Sequence, residues 1–222
     1  RHIPAMPKEV EYYLNCRPGK ICVDGTLGGS GHAAAILEKS SPGGQLIAID
    51  QDKDAIENAK SVLRRFESRA HFFHANYIQF PEVLSQLNIL AVDGVLLDLG
   101  LSRHQIAASG RGFSFNKDEP LDMRMDPHAG PTAADLLESL SEAELRGILR
   151  RYGEERRSRM IARAIVRERE KRPLRTTSQL AELIERCLGG AARRYRAGRG
   201  APGAPRDRGR AEVRAHVGQE RL

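Results

Sequence analysis

The chain lacks tryptophan, contains few aromatic residues and has no long apolar run. Only 5% of its 222 residues are aromatic. No apolar stretch approaches the roughly 20 residues that a membrane helix needs. The first residues, "RHIPAMPKEVEYY", also lack the apolar block of a signal peptide. These absences predict a cytoplasmic protein that has no contact with a membrane.

Cysteine is scarce and is not arranged as a motif. Cys16, Cys22 and Cys187 are odd in number and form no C-x-x-C pair, so we expect three reduced thiols rather than a disulfide framework or a zinc site. His71 and His74 have no third ligand nearby in sequence, and we expect them to be strand residues rather than metal ligands. The sequence therefore predicts no metal site.

The positive charge is unevenly distributed. The formal net charge is +7, but from residue 189 to residue 222 nine arginines face three acidic residues, which places +6 of it in the tail. Within the rest, residues 142–172 form a local exception, with eleven Lys or Arg against six Asp or Glu. The high pI therefore says little about the folded part of the chain.

The first hundred residues alternate between helix-like and strand-like segments. We predict strands in "KICVDGT", "QLIAID", "AHFFHAN" and "VDGVLLDLG", separated by helices in "GHAAAILEKS", "DKDAIENAKSVLRRF" and "PEVLSQL", after a first helix in "KEVEYYL". Strands separated by such helices indicate βαβ units and a parallel sheet. Near-continuous apolar runs such as "LIAI" are typical of strands that are covered on both faces.

Beyond residue 130 the pattern becomes purely helical. "TAADLLESL" starts at a threonine cap, "SEAELRGILRRYG" starts at Ser141 with Glu144 as a capping box and can end at Gly153, and "TTSQLAELIERCLGG" is a last capped helix. In "EERRSRMIARAIVREREKR" the expected apolar stripe consists of Met160, Ile161, Ala164 and Ile165. The tail has no apolar period, and we expect it to be disordered.

The glycine-rich segment "VDGTLGGSGHAAAIL" (23–37) leads from a predicted strand straight into a helix. Glycines in such a turn permit positive φ and close approach of a ligand, and the helix presents free N–H groups. Asp24, Asp50 and Asp98 end the first, second and fourth strands. Because the carboxyl ends of parallel strands lie at one edge of a sheet, we expect a nucleotide-like ligand there.

Two ligands fit this edge. "GSGHAA" satisfies G-x-G-x-x-A, the dinucleotide fingerprint, which by itself is a weak signal. A dinucleotide loop usually starts its glycines at the strand end, whereas Asp24 and Thr26 precede Gly28 here. Several carboxylates suit a ligand with a cationic amino acid part and a ribose, such as S-adenosylmethionine. The residues favour this ligand over a dinucleotide and leave a glycine turn without any ligand as a third reading.

The segment "RGFSFNKDEPLDMRMD" (111–126) follows with no helical or strand period. With the segments already quoted, it resembles the bacterial small-subunit ribosomal RNA cytosine-N4 methyltransferases of family H over roughly residues 2–186. The blocks that carry the resemblance are "HIPAMPKEV", "DGTLGGSGHAAAIL", "AIDQDKDAIENA", "DGVLLDLGLS", "RGFSF", "PLDMRMD", "TAADLLESL", "RRYGEERRSRMIARAIVRERE" and "TTSQLAELI". "RGFSF" and "PLDMRMD", in order after "DLG", are the most specific.

The resemblance implies an α/β fold: the Rossmann-like sheet of class I methyltransferases, here with four recognisable strands, and an all-helical inserted domain. It also implies S-adenosyl-L-methionine as cofactor. The chain's residues at the family's cofactor positions are Ser30, Gly31, His32, Asp50, Tyr77, Asp98 and Gln105. The implied roles are the methionine part for the glycine turn, the ribose for Asp50 and adenine stacking for Tyr77. The segment "LSRHQIAAS" departs from the family pattern.

The implied reaction is methyl transfer to the N4 amine of a cytosine in small-subunit ribosomal RNA. The D/N-P-P-Y motif of other amine methyltransferases is absent, so the catalytic candidates are Asp122 and then Arg124, which would hold a phosphate or the base. An equally weighted reading is that Asp122 caps a turn or pairs with Arg124. We expect Phe113 and Phe115 to anchor the loop rather than to stack on a base. The oligomeric state stays open, with a dimer as one option.

The resemblance also predicts the organisation of the chain. We expect a cofactor-binding part at 1–105, an active-site loop at 106–130, a helical RNA-recognition domain at 131–188 and a basic tail at 189–222 whose composition suits an out-of-frame reading. The family is longer than this chain, and strands in the order 3-2-1-4 would leave the fourth as an uncovered apolar edge. The expected function is cytosine methylation, impaired by truncation, with a non-catalytic RNA-binding fragment as the alternative.

Overall fold

The computed structural model describes residues 4–189. Within this range the chain forms two compact units, residues 4–102 and residues 103–189. None of the described helices is long and apolar enough to cross a membrane. The tail that we expect to be disordered lies outside the described residues.

The first unit is a parallel sheet with helices. Its elements in chain order are α1 (Pro7–Leu14), β1 (Ile21–Asp24), α2 (Gly31–Lys39), β2 (Gln45–Asp50), α3 (Lys53–Val62), β3 (Ala70–His74), α4 (Phe80–Gln86) and β4 (Gly94–Leu96), with short 3-10 turns at Arg64–Phe66 and Tyr77–Gln79. The strands pair in parallel in the order β3-β2-β1-β4. The predicted α/β fold and strand order are confirmed.

Helices cover both faces of the sheet. Successive side chains of a strand point to opposite faces, so each strand contributes to two core clusters. Leu46 and Ala48 of β2 belong to a core cluster with Ile36, Leu37 and other side chains from α1, α2 and α3. Ile47 and Ile49 join a second cluster with residues of α4. These four of the six β2 residues are fully buried, which is the reason that "LIAI" reads as a continuous apolar run.

Strand β4 is much shorter than predicted. The expected segment was 92–100, but only Gly94–Leu96 pair with β1. The last ladder bond runs from Gly25 N to the Leu96 carbonyl (2.9 Å). The ladder ends there because Asp98 N donates to the Thr26 hydroxyl oxygen (2.6 Å) instead of to a backbone carbonyl of the neighbouring strand. Among the described residues no further strand pairs with the outer side of β4. The segment that follows β4 therefore bends towards the glycine turn.

The second unit contains α5 (Arg103–Ala107), α6 (Ala133–Ser139), α7 (Glu142–Arg151), α8 (Ser158–Arg169) and α9 (Thr177–Leu188). Capping boxes start α6, α7 and α9, at Thr132, Ser141 and Thr176. Each box satisfies backbone N–H groups that have no partner inside the helix. The short helix α5 has no counterpart in the predicted elements.

The core of the second unit differs from the predicted stripe at one position. Ile161 and Ile165 are buried as expected, whereas Met160 is 43% exposed and the fully buried side chain is that of Ala162. Helix α8 starts at Ser158, and its buried side is set by the spacing of Ser158, Ile161 and Ile165, which places residue 160 on the other side. Gly153 follows α7 as expected, and a Cβ there would lie 2.9 Å from the Leu149 carbonyl oxygen.

The loop between α5 and α6 is irregular but firmly held. Thr177, at the start of α9, donates its hydroxyl to the Lys117 carbonyl (2.6 Å), and its backbone N donates to the Glu119 carbonyl (2.9 Å). Leu121 N donates to the Arg175 carbonyl (2.9 Å), and Leu121 is buried. Because the N-terminal turn of α9 takes up these backbone groups, the loop is ordered without strands or helices.

One of the two phenylalanines of this loop differs from the expectation. Phe115 is 64% exposed, so the expectation that it anchors the loop is wrong. Phe113 is half-buried, with the Arg111 guanidinium 5.6 Å from its ring centroid. Arg111 is itself buried and donates to the carbonyls of Arg124 (3.1 Å) and Met125 (2.6 Å). The buried arginine therefore anchors the loop, a role that the sequence assigned to Phe115.

Substitution of Gly112 tests the loop. Gly112 has φ +76°, and a Cβ would lie 2.3 Å from the Pro120 carbonyl oxygen. We expect Gly112→Ala to lower the free energy of unfolding by at least about 3 kcal/mol, since an overlap with backbone adds to the cost of positive φ. The control is Gly110→Ala, where φ is +67° with no atom within 4 Å and a loss of only about 1 kcal/mol is expected. Urea denaturation followed by circular dichroism measures both, and equal losses would contradict the close approach.

Candidate functional site

The turn after β1 is tied to the ends of β2 and β4 through backbone groups. Gly28 N donates to Asp50 Oδ2 (2.9 Å), and Leu27 N donates to the Ile49 carbonyl (3.3 Å). The Thr26 hydroxyl accepts the bond from Asp98 N described above. Three loops at the carboxyl edge of the sheet are therefore joined at the glycine turn, which is where parallel sheets bind ligands.

Asp24 lies at the end of β1 with its carboxylate buried. The residue is 1% exposed; Thr26 N donates to Oδ1 (3.1 Å), and Oδ2 has no hydrogen-bond partner. Burial, with smaller contributions from the negative charges of Asp50 and Asp98, raises the pKa of Asp24 to about 7. A buried carboxylate with an oxygen left over is costly unless a donor or cation reaches it. The site is therefore suited to a ligand that carries an ammonium group.

Ser30 occupies the left-handed conformation that starts α2. Its φ is +63°, its hydroxyl is buried without a hydrogen-bond partner, and it makes no side-chain cap to the helix. Gly31 and His32 form the first turn of α2. Because no side chain caps this helix, its first N–H groups and partial positive charge remain available to an anionic group such as a carboxylate.

Asp50 ends β2 and has spare capacity as an acceptor. Its two oxygens accept bonds from Gly28 N (2.9 Å) and Asp52 N (2.8 Å). Burial raises its pKa, and the two backbone bonds act in the opposite direction. A carboxylate offers about four lone-pair sites, so Asp50 can hold the turn and still accept bonds from neighbouring ligand hydroxyls.

The remaining predicted residues of the first unit adjoin the same turn. Asp98 Oδ2 lies 3.7 Å from His32 Nε2. Tyr77 flanks Gly25, since a Cβ built on Gly25 would lie 3.0 Å from the Tyr77 Cβ and 2.7 Å from Leu97 Cδ2. The structure thus brings together six predicted residues around the glycine turn, namely Ser30, Gly31, His32, Asp50, Tyr77 and Asp98.

The other predicted residues belong to the second unit. Gln105 is buried in α5, and its Nε2 donates to Met125 Sδ (3.2 Å). Asp122 and Arg124 form a two-point ion pair, with Nε to Oδ1 at 2.8 Å and Nη2 to Oδ2 at 2.7 Å. This pair lowers the pKa of Asp122, so the group is a carboxylate near neutral pH. The pairing that the sequence offered as an alternative role for Asp122 is therefore present.

Two contacts at the site were missed by the sequence reasoning. The Thr26 hydroxyl accepts the hydrogen bond from Asp98 N. Thr26 lies between β1 and the glycines, and no motif or residue spacing in the sequence singles it out. Pro4 packs on the turn, since a Cβ on Gly31 would lie 3.2 Å from its ring. No periodicity could show either contact, because each joins segments distant in the chain.

The predicted strand histidines lie in or at the end of β3. His71 Nε2 is 3.3 Å from Gln45 Oε1, and His74 Nε2 is 2.9 Å from the Gln51 carbonyl. Within residues 4–189 no group of three or more His, Cys, Asp or Glu side chains is placed to hold a metal ion.

The ionisation of Asp24 predicts a pH dependence of stability. The folded state binds its proton more tightly than the unfolded state, whose pKa is near the ordinary 3.8. Relative to Asp24→Asn, the free energy of unfolding of the unsubstituted chain should be highest below about pH 4 and fall by up to about 4 kcal/mol as the pH rises to about 7. Urea denaturation of both proteins measures it, because carboxyl groups that do not interact with Asp24 cancel in the difference. A difference that does not vary with pH would contradict a buried Asp24 carboxyl group.

Comparison with known proteins gives the family. The sequence model of the MraW methylase family matches residues 1–202. A Desulfosudis oleivorans protein named ribosomal RNA small subunit methyltransferase H is 53% identical over 184 residues, which are 83% of this chain and 59% of the relative. A protein of the same name from Syntrophus aciditrophicus is 50% identical over 192 residues, 86% of this chain and 61% of the relative. The chain thus spans about three fifths of the length of these relatives.

Solved structures overlap with smaller parts of the chain. Aeropyrum pernix fibrillarin, crystallised with natively bound S-adenosyl-L-methionine, is 16% identical, with a TM-score of 0.34 and coverage of 39% of this chain and 36% of that protein. The family match extends over most of the chain and includes the glycine turn, the loop before α6 and the helices of the second unit. The chain belongs to the MraW methylase family.

Proposed function

We propose that the chain binds S-adenosyl-L-methionine at the glycine turn and methylates the N4 amine of a cytosine in small-subunit ribosomal RNA. The observation that carries the proposal is the pair of buried, unpartnered atoms at the turn, Asp24 Oδ2 and Ser30 Oγ. Buried polar atoms normally have partners, so two such atoms beside an uncapped helix indicate a polar ligand. Membership of a methylase family supports S-adenosylmethionine over a dinucleotide.

The residues fit the parts of this cofactor. The first N–H groups of α2 suit the carboxylate of the methionine part, and Asp24 suits its ammonium group. Asp50 suits the two ribose hydroxyls because it retains free lone pairs. The Tyr77 ring suits the adenine face by stacking. Gln105 is proposed as a further cofactor residue on the strength of the family pattern, and Asp98 likewise.

The bound cofactor would supply an activated methyl group on sulfonium. The protein then has to position the amine and accept the proton that the amine releases. Methyl transfer breaks the S–C bond, forms an N4–C bond and releases one proton from the amine. Because the N4 lone pair is delocalised into the cytosine ring, an acceptor aligned with the N–H bond raises its nucleophilicity as the transition state forms. Holding the amine in line with the methyl group contributes much of the remaining acceleration.

Asp122 and Arg124 are proposed for the amine and its RNA. The lowered pKa keeps Asp122 ionised, which makes it an acceptor rather than a donor. Oδ1 accepts from the backbone N (3.0 Å) and from Nε (2.8 Å) of Arg124, whereas Oδ2 accepts only from Nη2 (2.7 Å) and retains a lone pair for an N–H group. The Arg124 side chain is about a quarter exposed, at 23%, and can contact a phosphate or the base. In this proposal the loop at 106–130 carries the chemistry and the helices at 131–188 contact RNA.

Cofactor binding provides the first test. Asp50→Asn should weaken S-adenosylmethionine binding about tenfold to a hundredfold, because hydrogen bonds to a charged acceptor contribute about 1.5–3 kcal/mol. Asp54→Asn is the matched control, since Asp54 is exposed in the first turn of α3, and its affinity should stay unchanged. Isothermal titration calorimetry on the full chain measures both. Binding that is equally tight in the two variants would remove Asp50 from the site.

Methyl transfer provides the second test. Asp122→Asn should lower turnover by at least about a hundredfold while S-adenosylmethionine affinity stays within about threefold. Arg124→Gln breaks the same ion pair but keeps the carboxylate, so it should raise the KM for the RNA substrate more than it lowers kcat. The measurement is transfer of labelled methyl groups to purified small ribosomal subunits, with Glu138→Gln, an exposed site on α6, as control. Unchanged turnover of Asp122→Asn would leave that carboxylate a purely structural role.

Cofactor binding without methyl transfer in the unsubstituted chain would support the alternative, a non-catalytic RNA-binding fragment. The basic composition of residues 189–222 is the feature that favours such a fragment, since polycations bind RNA without sequence preference. The titration and the transfer assay together distinguish the two functions.

A further inference from the structure

Helix α8 carries a stripe of arginines on its exposed side. Its buried residues are Ser158, Ile161, Ala162 and Ile165. Arg159, Arg163 and Arg167 are all exposed and follow each other at four-residue intervals, so they form one stripe along the helix with about 6 Å of rise between neighbours. We call these three residues the α8 arginine stripe. The neighbouring helix α7 packs against α8 and carries a second exposed pair at the same interval, Arg146 and Arg150.

The arginines of the stripe have no acidic partners. Within residues 4–189 none of the three guanidinium groups makes a hydrogen bond or an ion pair. Of the nearby carboxylates, Glu168 pairs with Arg172 (2.8 Å) and Arg186 (3.3 Å), and Glu155 accepts from Arg157 N (2.7 Å). Glu154 and Glu170 are exposed and make no ion pair with the stripe. The stripe therefore presents uncompensated positive charge.

Other arginines of the second unit have clear structural roles. Arg169 donates to the carbonyls of Leu137 (2.8 Å) and Leu140 (2.6 Å), which ties α8 to the end of α6. Arg172 is paired with Glu168 at the favourable four-residue interval. The stripe instead places like charges at that interval, which destabilises a helix. A charge pattern that costs stability and serves no internal contact suggests an external partner.

We propose that the α8 arginine stripe binds the phosphate backbone of the RNA substrate. Guanidinium groups bind phosphate oxygens at two points and remain charged at every physiological pH. On α8 the only large apolar side chain that is exposed is Met160, so the stripe lacks the apolar centre that protein partners require. The proposal rests on the proposed RNA methylation, and it assigns to α8 the positioning of RNA rather than any contact with the reacting atoms.

Two charge-matched variants of the full chain test this surface. Arg159→Gln/Arg163→Gln removes two charges from the stripe, and Arg172→Gln/Arg186→Gln removes two charges that are already paired with Glu168. The probe is a fluorescently labelled RNA stem–loop, and its binding is followed by anisotropy as the salt concentration is raised. Circular dichroism melts of both variants check that each is folded, and the basic tail is common to both.

The stripe variant should lose the electrostatic contribution of two phosphate contacts. The slope of log affinity against log salt should become shallower by about 1.5, and affinity should fall about thirtyfold at 0.1 M salt with no difference near 1 M. The control variant should keep the original slope. Equal losses in the two variants would overturn the proposal, since only net charge would then matter. Competition by poly-L-glutamate as effective as that by RNA would also overturn it, because the partner would be any polyanion.

The outcome is separable from that of the proposed function. S-adenosylmethionine binding does not involve α8 in this proposal, so both variants should bind the cofactor as the unsubstituted chain does. Cofactor binding without the slope difference overturns the stripe alone. A slope difference in a chain that neither binds S-adenosylmethionine nor transfers methyl groups overturns the proposed methylation and leaves the phosphate contact in place.

Discussion

The first unit depends on one constraint, the burial of a carboxylate at the end of its central strand. Asp24 is held by Thr26 N on one oxygen and has no partner on the other. The same turn binds Asp50 through Gly28 N and the chain after β4 through the Thr26 hydroxyl. A polar cluster of this kind costs folding energy, and it persists because the surrounding apolar core, with Leu46, Ile47 and Ile49 fully buried, offsets that cost.

The second unit depends on a different interaction, the hydrogen bonds between the backbone of its long loop and the start of α9. Thr177 binds the carbonyls of Lys117 and Glu119, and Arg175 binds Leu121 through its carbonyl. Buried Arg111 fixes the other limb of the loop through two carbonyls. These contacts give Asp122 and Arg124 a defined position within their unit. An irregular loop is thereby fixed through its backbone groups, without regular secondary structure.

Much of this arrangement follows from local sequence patterns. The alternation of apolar runs with helical segments predicts the four parallel strands, and capping residues such as Ser141 predict where helices start. The glycine turn and the acids at the strand ends predict the site, since parallel strands bring those ends to one edge. Patterns failed where a distant contact decides: β4 ends at Leu96 because Asp98 N donates to the Thr26 hydroxyl, Met160 lies outside the core, and Phe115 is exposed while Arg111 is buried.

The sequence by itself determined the fold class, the order of the elements, the family and the residue types at the glycine turn. These are properties of periodicity, caps and local motifs, which act over a few residues. The tertiary structure decided that Asp24 keeps a free oxygen, that Asp122 is paired with Arg124, and that the arginines of α8 divide into engaged and unengaged groups. Each of these depends on burial and on hydrogen-bond partners, which are settled only when the chain packs, even where the partners are as near in sequence as Asp122 and Arg124.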